Sequence, residues 1–137
     1  MPKLGLFDGT VGLMERVMDL RTRSQQVIAS NIANAETPGY AAARLEFEQD
    51  LKQALAKPKG DFPARHPGHI PVSASGVESV EGRIVRKADR SGLGDGNGVN
   101  LDDEMMLLSE NQLMYQAATQ MIGKKLALLK YAAQDGK

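Results

Sequence analysis

Two long stretches with helical periodicity flank a middle segment that is rich in glycine and proline. In the C-terminal stretch, residues 101–133, apolar side chains recur at alternating spacings of four and three residues, which is typical of a coiled-coil seam. The seam comprises Leu101, Met105, Leu108, Gln112, Tyr115, Thr119, Ile122, Leu126, Leu129 and Ala133. The pattern predicts one helix about 50 Å long, which Asn100 or Asp102 is suited to cap.

The same helix carries a second apolar stripe on the side away from the seam. The stripe repeats every seven residues and comprises Leu107, Met114, Met121 and Leu128, with Met106 and Leu113 beside it. A helix that is apolar on opposite faces is normally packed between two layers. One partner helix in so short a chain cannot cover both faces, so the surplus stripe predicts assembly with other subunits.

A second long helix is predicted near the N-terminus, from about Thr10 to Ala35. Its own row of four-three spacing comprises Leu13, Val17, Leu20, Ser24, Val27, Asn31 and Asn34. Pro38 ends the helix because it restricts the backbone of the preceding residue, and Pro38-Gly39 suits the centre of a type II turn. If the two long helices pair antiparallel, Ser24 lies level with Gln112, and this polar layer fixes the register.

The remaining sequence predicts smaller elements. A short amphipathic helix is expected from Leu45 to Ala56, and Val77–Val80 and Arg83–Arg86 are strand candidates for a small hairpin. The chain is therefore a single subunit with three parts: residues 1–57, a turn-rich middle at 58–98, and a helical part at 99–137. The predicted fold is mainly α, an elongated antiparallel coiled coil of the terminal helices with a short third helix and a little β-structure in the middle.

Composition narrows the function classes. Seventeen Lys and Arg balance seventeen Asp and Glu, so binding to nucleic acid through bulk positive charge is disfavoured. The absence of cysteine excludes disulfides and thiolate chemistry. No stretch reaches the roughly 18 apolar residues of a membrane span, and no basic region followed by an apolar core begins the chain. We therefore expect no membrane span and no cleaved signal.

Candidate chemistry is sparse. His66 and His69 share a loop, but zinc needs three or four convergent ligands. The glycine-rich run at Asp95–Gly98 lacks the spacing of a calcium loop. We predict that the chain is not an enzyme and has no catalytic residue, cofactor or metal. A small metal-binding enzyme that uses the histidine loop remains as the alternative.

One motif is long and specific. Residues 29–40 read ASNIANAETPGY, in which two asparagines three residues apart precede Thr37-Pro38-Gly39-Tyr40. This segment closely resembles the N-terminal signature of the flagellar rod and hook family of axial proteins. Further segments resemble the short proximal-rod type of that family. They are Phe47–Lys52, His69–Pro71, Asp95–Asp102 and Glu110–Gln116.

The resemblance implies a structural role in the bacterial flagellar basal body. It implies that the terminal helices pair around a central export channel in a proximal rod that transmits torque. It also implies export by the flagellar type III apparatus without a cleaved signal, and assembly in the periplasm. The implied partners are copies of the chain in a helical assembly, other rod proteins, the adaptor to the inner-membrane ring, and the export gate. Another rod or hook protein of the same family is the close alternative.

The predicted assembly residues lie in the motif and on the C-terminal helix. In the motif they are Ser30, Asn31, Ile32, Asn34, Thr37, Pro38, Gly39 and Tyr40. On the helix they are Leu101, Met105, Leu108, Gln112, Tyr115, Ile122, Leu126 and Leu129 of the seam, and all four residues of the second stripe. Asn31 and Asn34 fall on the seam, where buried amides specify partner and register. The alternative for both is an exposed helix end with ordinary polar residues.

Overall fold

The computed structural model describes residues 9–56, 76–87 and 98–134. Within them the chain is mainly helical, and two antiparallel strands form a small sheet. The elements in chain order are α1 (Gly9–Ala33), β1 (Ala42–Glu46), α2 (Glu48–Ala56), a 3₁₀ turn (Val77–Ser79), β2 (Arg83–Lys87) and α3 (Leu101–Ala133). None of the described helices is long and apolar enough to span a membrane.

The two long helices pack against each other in antiparallel order, as predicted. Asn31 near the end of α1 contacts Glu104 near the start of α3, whereas Met18 contacts Thr119 farther along. The Asn100 side chain caps α3 by accepting a hydrogen bond from the backbone N–H of Asp102 at 3.0 Å. Acidic residues in the first turn complement the helix dipole, and these signals together account for the predicted start of α3.

Helix α1 is the central layer of the fold. Helix α3 covers one face of α1, while β1 and the 3₁₀ turn pack on the other face. On that second side Leu20 is fully buried and meets Phe47 and Val80 in a small core. The helix packed between two layers is therefore α1, and the described elements cover the wide apolar surface of α3 along one side only.

Two predictions of local structure are wrong. Residues 42–46 form β1, so the short helix begins at Glu48 and not at Leu45. Leu45 and Phe47 both contact the core around Leu20, and this two-residue spacing is that of a strand.

The predicted hairpin is also not formed. Residues 77–79 make a 3₁₀ turn, because Ser79 bonds back to the carbonyl of Gly76 while Val80 enters the core. Strand β2 is present, but it pairs with β1, with Leu45 opposite Ile84. The sheet thus joins the N-terminal part of the chain to its middle.

The face of α3 that packs on α1 coincides only in part with the predicted seam. Its buried residues are Glu104, Asn111 and Ala118, with Leu108, Ile122 and Leu129 partly buried beside them. Leu108, Ile122 and Leu129 belong to the predicted seam, but Leu101, Met105, Gln112, Tyr115 and Leu126 are exposed. At alternate positions the packed residue comes one place earlier in the sequence than the predicted one. The reason is that polar partners on α1 bind Glu104 and Asn111.

The same one-residue shift of the packed face of α3 also changes the polar layer that was predicted between the two helices. Gln112 points to solvent, and the Asn111 amide instead donates to the carbonyl of Arg21 at 2.8 Å. Within the described residues, the second stripe is left largely uncovered, as the sequence suggested. Met114, Met121 and Leu128 are exposed, whereas Leu107 is half-buried.

Candidate assembly site

The turn at the end of α1 has the predicted geometry. Gly39 has a φ of 73°, in the left-handed region that a type II turn requires at its third residue. The backbone N–H of Tyr40 donates to the carbonyl of Thr37 at 3.2 Å and closes the turn. The turn reverses the chain, so that β1 runs back along α1 toward its middle.

Asn31 is the centre of the motif in the folded chain. It is fully buried, and its amide Nδ2 donates to the Ala43 carbonyl at 2.8 Å while its Oδ1 accepts from the Ala43 N–H at 2.9 Å. Its Nδ2 also reaches Oε2 of Glu104 at 3.0 Å. The side chain therefore joins α1, β1 and α3, which excludes the alternative of an ordinary polar residue at an exposed helix end.

Glu104 completes this buried polar site from the other end of the sequence. Its carboxylate is 1% exposed, and Oε1 accepts from Nη2 of Arg44 at 2.6 Å. A buried carboxylate is strongly disfavoured unless it is paired and hydrogen-bonded, and here it is both. The register of the two long helices is consequently fixed by Asn31, Arg44 and Glu104.

Sequence reasoning missed Glu104 as a packing residue. A signal was present: Glu104, Asn111 and Ala118 repeat every seven residues and form a row of four-three spacing with Leu108, Tyr115 and Ile122. Hydrophobicity alone ranks that row below the neighbouring one because three of its members are charged, polar or small.

The other motif residues lie around Asn31 and are more exposed. The Asn34 amide donates to the carbonyl of Ser30 at 2.8 Å, and Thr37 Oγ1 donates to Asn34 Oδ1 at 3.3 Å. The Tyr40 hydroxyl lies 3.3 Å from both Ser30 Oγ and Asn31 Oδ1. Ile32 is half-buried, whereas Pro38 and Gly39 face solvent. The motif thus builds a corner in which Pro38 and Gly39 are exposed, while the Tyr40 ring lies 5.8 Å from the guanidinium of Arg86 on β2.

Arginines hold the opposite layer onto α1, and no pattern in the sequence predicted this role. Arg16 Nε donates to the carbonyl of Val80 at 2.7 Å, and Arg23 Nη1 donates to that of Glu81 at 2.6 Å. Arg21 lies over the Phe47 ring at 5.0 Å and pairs with Glu48 at 2.9 Å. The contacts of Arg16 and Arg23 attach the segment before β2 to α1, and those of Arg21 attach the start of α2.

The described residues contain no group of three or more side chains that could hold a metal ion. The histidine loop at His66 and His69 and most of the glycine-rich run before α3 lie outside the described residues. What the described surface offers is an apolar face on α3 with the motif corner at one end. Its large exposed side chains are Met105, Met106, Leu113, Met114, Met121, Leu126, Leu128 and Tyr131.

Comparison with known proteins shows which family the chain is similar to. Residues 15–40, which include most of α1 and the whole motif corner, match the family model for the flagella basal body rod protein. The chain is 35% identical over 137 residues to the flagellar basal body rod protein FlgB of Bacillus subtilis, covering 98% of this chain and 100% of the relative. The chain belongs to the FlgB family of flagellar basal body rod proteins.

Other FlgB proteins match over the same extent. FlgB of Salmonella typhimurium is 30% identical over 140 residues, covering 97% of this chain and 99% of that protein. FlgB of Escherichia coli is 29% identical over 138 residues with the same coverage. The resemblance inferred from the motif is thereby confirmed. The chain is a structural rod component of the flagellar basal body.

Proposed function

We propose that this chain forms part of the proximal rod, in which copies stack helically around the export channel and transmit torque. The observation that carries this proposal is the apolar face of α3, which no other described element covers. Isolated exposed apolar residues are ordinary, but a contiguous apolar surface along a helix marks an interaction site. Stacking through different faces of each subunit gives an open helical assembly.

In this assembly the motif and α3 have different tasks. Asn31 uses both its amide nitrogen and its carbonyl oxygen within the chain, so it acts by building the subunit. Pro38, Gly39 and the exposed stripe of α3 are the surfaces available to neighbours. The proposed neighbours are further copies, other rod proteins, the adaptor to the inner-membrane ring, and the export gate. The proposed route is type III export into the periplasm without a cleaved signal.

The test begins with a clean deletion in the source bacterium, complemented by the wild-type gene or by variants. Met121→Glu with Leu128→Glu places two charges on the exposed stripe, and Gln116→Glu with Gln120→Glu adds the same charges at polar positions of the same helix. We expect the first pair to abolish rods, hooks and filaments in electron micrographs while inner-membrane rings persist. The control pair should restore swimming.

Two outcomes would contradict this function. Normal swimming of the deletion strain, with no second copy of the gene, would exclude a required rod subunit. Normal swimming with Met121→Glu and Leu128→Glu would show that the stripe is not an assembly surface. Purified variants should first be shown to unfold at the wild-type temperature, so that a loss of assembly is not a loss of folding.

A further inference from the structure

The two edges of the small sheet differ in whether their outward backbone groups have hydrogen-bond partners. On β1, both backbone polar groups of Ala43 are bonded by the Asn31 side chain, at 2.8 and 2.9 Å. Asn31 therefore occupies the position that a neighbouring strand would take. The outer edge of β1 is closed at this residue by α1.

The hydrogen-bond pattern defines the opposite edge. In an antiparallel pair, residues alternate between those bonded to the partner strand and those whose polar groups point away from it. Ala43 points away from β2, and its register partner is Arg86. The N–H and C=O groups of Arg86 and, two residues earlier, of Ile84 consequently point outward from β2. Among the described residues, none has a recorded backbone hydrogen bond with Ile84 or Arg86 at this edge.

The side chains along this edge are accessible and basic. Ile84 is 58% exposed, and the Arg83 side chain is 71% exposed. Within the described part of the chain, the carboxylate contact of Arg83 is a long one, 3.9 Å to Asp50. Arg86 lies 5.8 Å from the Tyr40 ring centroid and its Nη1 donates to the Ala41 carbonyl at 3.4 Å, but no described carboxylate pairs with it. The edge thus combines backbone groups that no described residue pairs, one apolar side chain and two arginines.

We infer that the outer edge of β2 docks an extended acidic polypeptide segment by strand addition. Main-chain hydrogen bonds to an exposed edge give affinity, and alternate side chains give specificity. The order of Arg83, Ile84, Val85 and Arg86 fits a partner that reads acidic, apolar, apolar, acidic. Because this pattern is the same in both directions, the partner can run parallel or antiparallel. This inference does not depend on the proposed rod function.

The probe is the hexapeptide threonine–glutamate–valine–valine–glutamate–threonine, titrated into the ¹⁵N-labelled full chain. We expect the amide signals of Ile84 and Arg86 to shift and their hydrogen exchange to slow, while the Val85 amide, already bonded to β1, changes little. The same peptide with lysine in place of glutamate should not bind. Arg86→Gln should weaken binding about threefold, the size of one exposed charge contact.

Two further tests address the backbone. Ile84→Pro removes an outward N–H without removing a bond to β1, so it should abolish binding while Ile84→Val retains it. If Ile84→Pro does not fold, a probe N-methylated at both valines replaces it and should fail to bind the wild-type chain. Equal binding of the lysine peptide, or no shift at millimolar glutamate peptide, would overturn the inference. Concentration-dependent shifts without peptide would also overturn it in favour of pairing between copies.

Discussion

The two ends of the long helix pair are stabilised in different ways. At the end where Asn31 meets Glu104, three elements converge and the buried contacts are polar and specific. Toward the other end, Arg16 of α1 bonds to the carbonyl of Val80, whereas the large side chains of α3 around Met121 and Leu128 face solvent. The comparison teaches that the first end defines the fold of the subunit, whereas the second end leaves an apolar surface of α3 that no described element covers.

The largest expected effect follows from replacing the residue at the centre of the first end. Asn31→Ala leaves the buried N–H of Ala43 without a partner. It also removes one hydrogen bond each from the Ala43 carbonyl and the Glu104 carboxylate, which then keep their bonds from Arg44 alone. We expect a loss of about 4 kcal/mol in the free energy of unfolding, measured by urea denaturation. Asn34→Ala, three residues away and bonded only within the corner, should cost less than about 1 kcal/mol. Similar losses for both would contradict a central role for Asn31.

A second comparison contrasts the core with the exposed stripe. Leu20→Ala opens a cavity beside Phe47 and Val80, so we expect a loss of about 3 kcal/mol. Leu128→Ala removes the same atoms from the exposed stripe and should change the stability of the monomer by less than about 0.5 kcal/mol. Thermal unfolding of the two variants measures this difference. A large effect of Leu128→Ala in the monomer would mean that the stripe is covered within the chain.

The ion pair at the first end is best measured as a coupling. A double-mutant cycle with Arg44→Met and Glu104→Gln separates the pair from the loss of each side chain. Because Glu104 is buried and Arg44 partly exposed, we expect a coupling energy of about 1.5 kcal/mol from chemical denaturation. A coupling energy near zero would mean that the Arg44–Glu104 pair does not help to fix the position of α3, and that Asn31 and Asn111 alone do so.

The smallest effects concern two glycines and have opposite signs. Gly39→Ala places a side chain at a φ of 73°, which should destabilise the corner by about 1 kcal/mol. Gly123→Ala lies in the interior of α3 with no atom within 4 Å of the added carbon, and should stabilise the helix by up to about 1 kcal/mol. Differential scanning calorimetry should show melting temperatures displaced in opposite directions. A rise for Gly39→Ala would contradict the turn geometry.

The sequence predicted the features that local signals encode. Asn100 and the acidic first turn marked the start of α3, and Pro38-Gly39 marked the corner. The periodic apolar rows predicted the long helices and their antiparallel pairing. These signals act within a few residues, so they can be recognised without knowledge of distant contacts.

The features that failed depend on contacts between distant residues. Leu45 fitted a helical row as well as a strand, and only the pairing with Ile84 decides between them. The packed face of α3 is chosen by Asn31 and Arg44, which are more than 50 residues away from Glu104. Hydrophobicity favoured the neighbouring row because buried ion pairs and amides contribute nothing to an apolar pattern.

The central position of α1 has a consequence for the order of events when the chain is made. Some of its partners lie far along the chain: Val80 bonds to Arg16 across 64 positions, and Asn111 bonds to Arg21 across 90. When the chain is synthesised from its N-terminus, the face of α1 that binds α3 therefore stays exposed to solvent until α3 has been made. Contacts of such long sequence separation also slow folding, because the intervening loop must close first. The subunit can finish folding only after α3, near the end of the chain, has been synthesised.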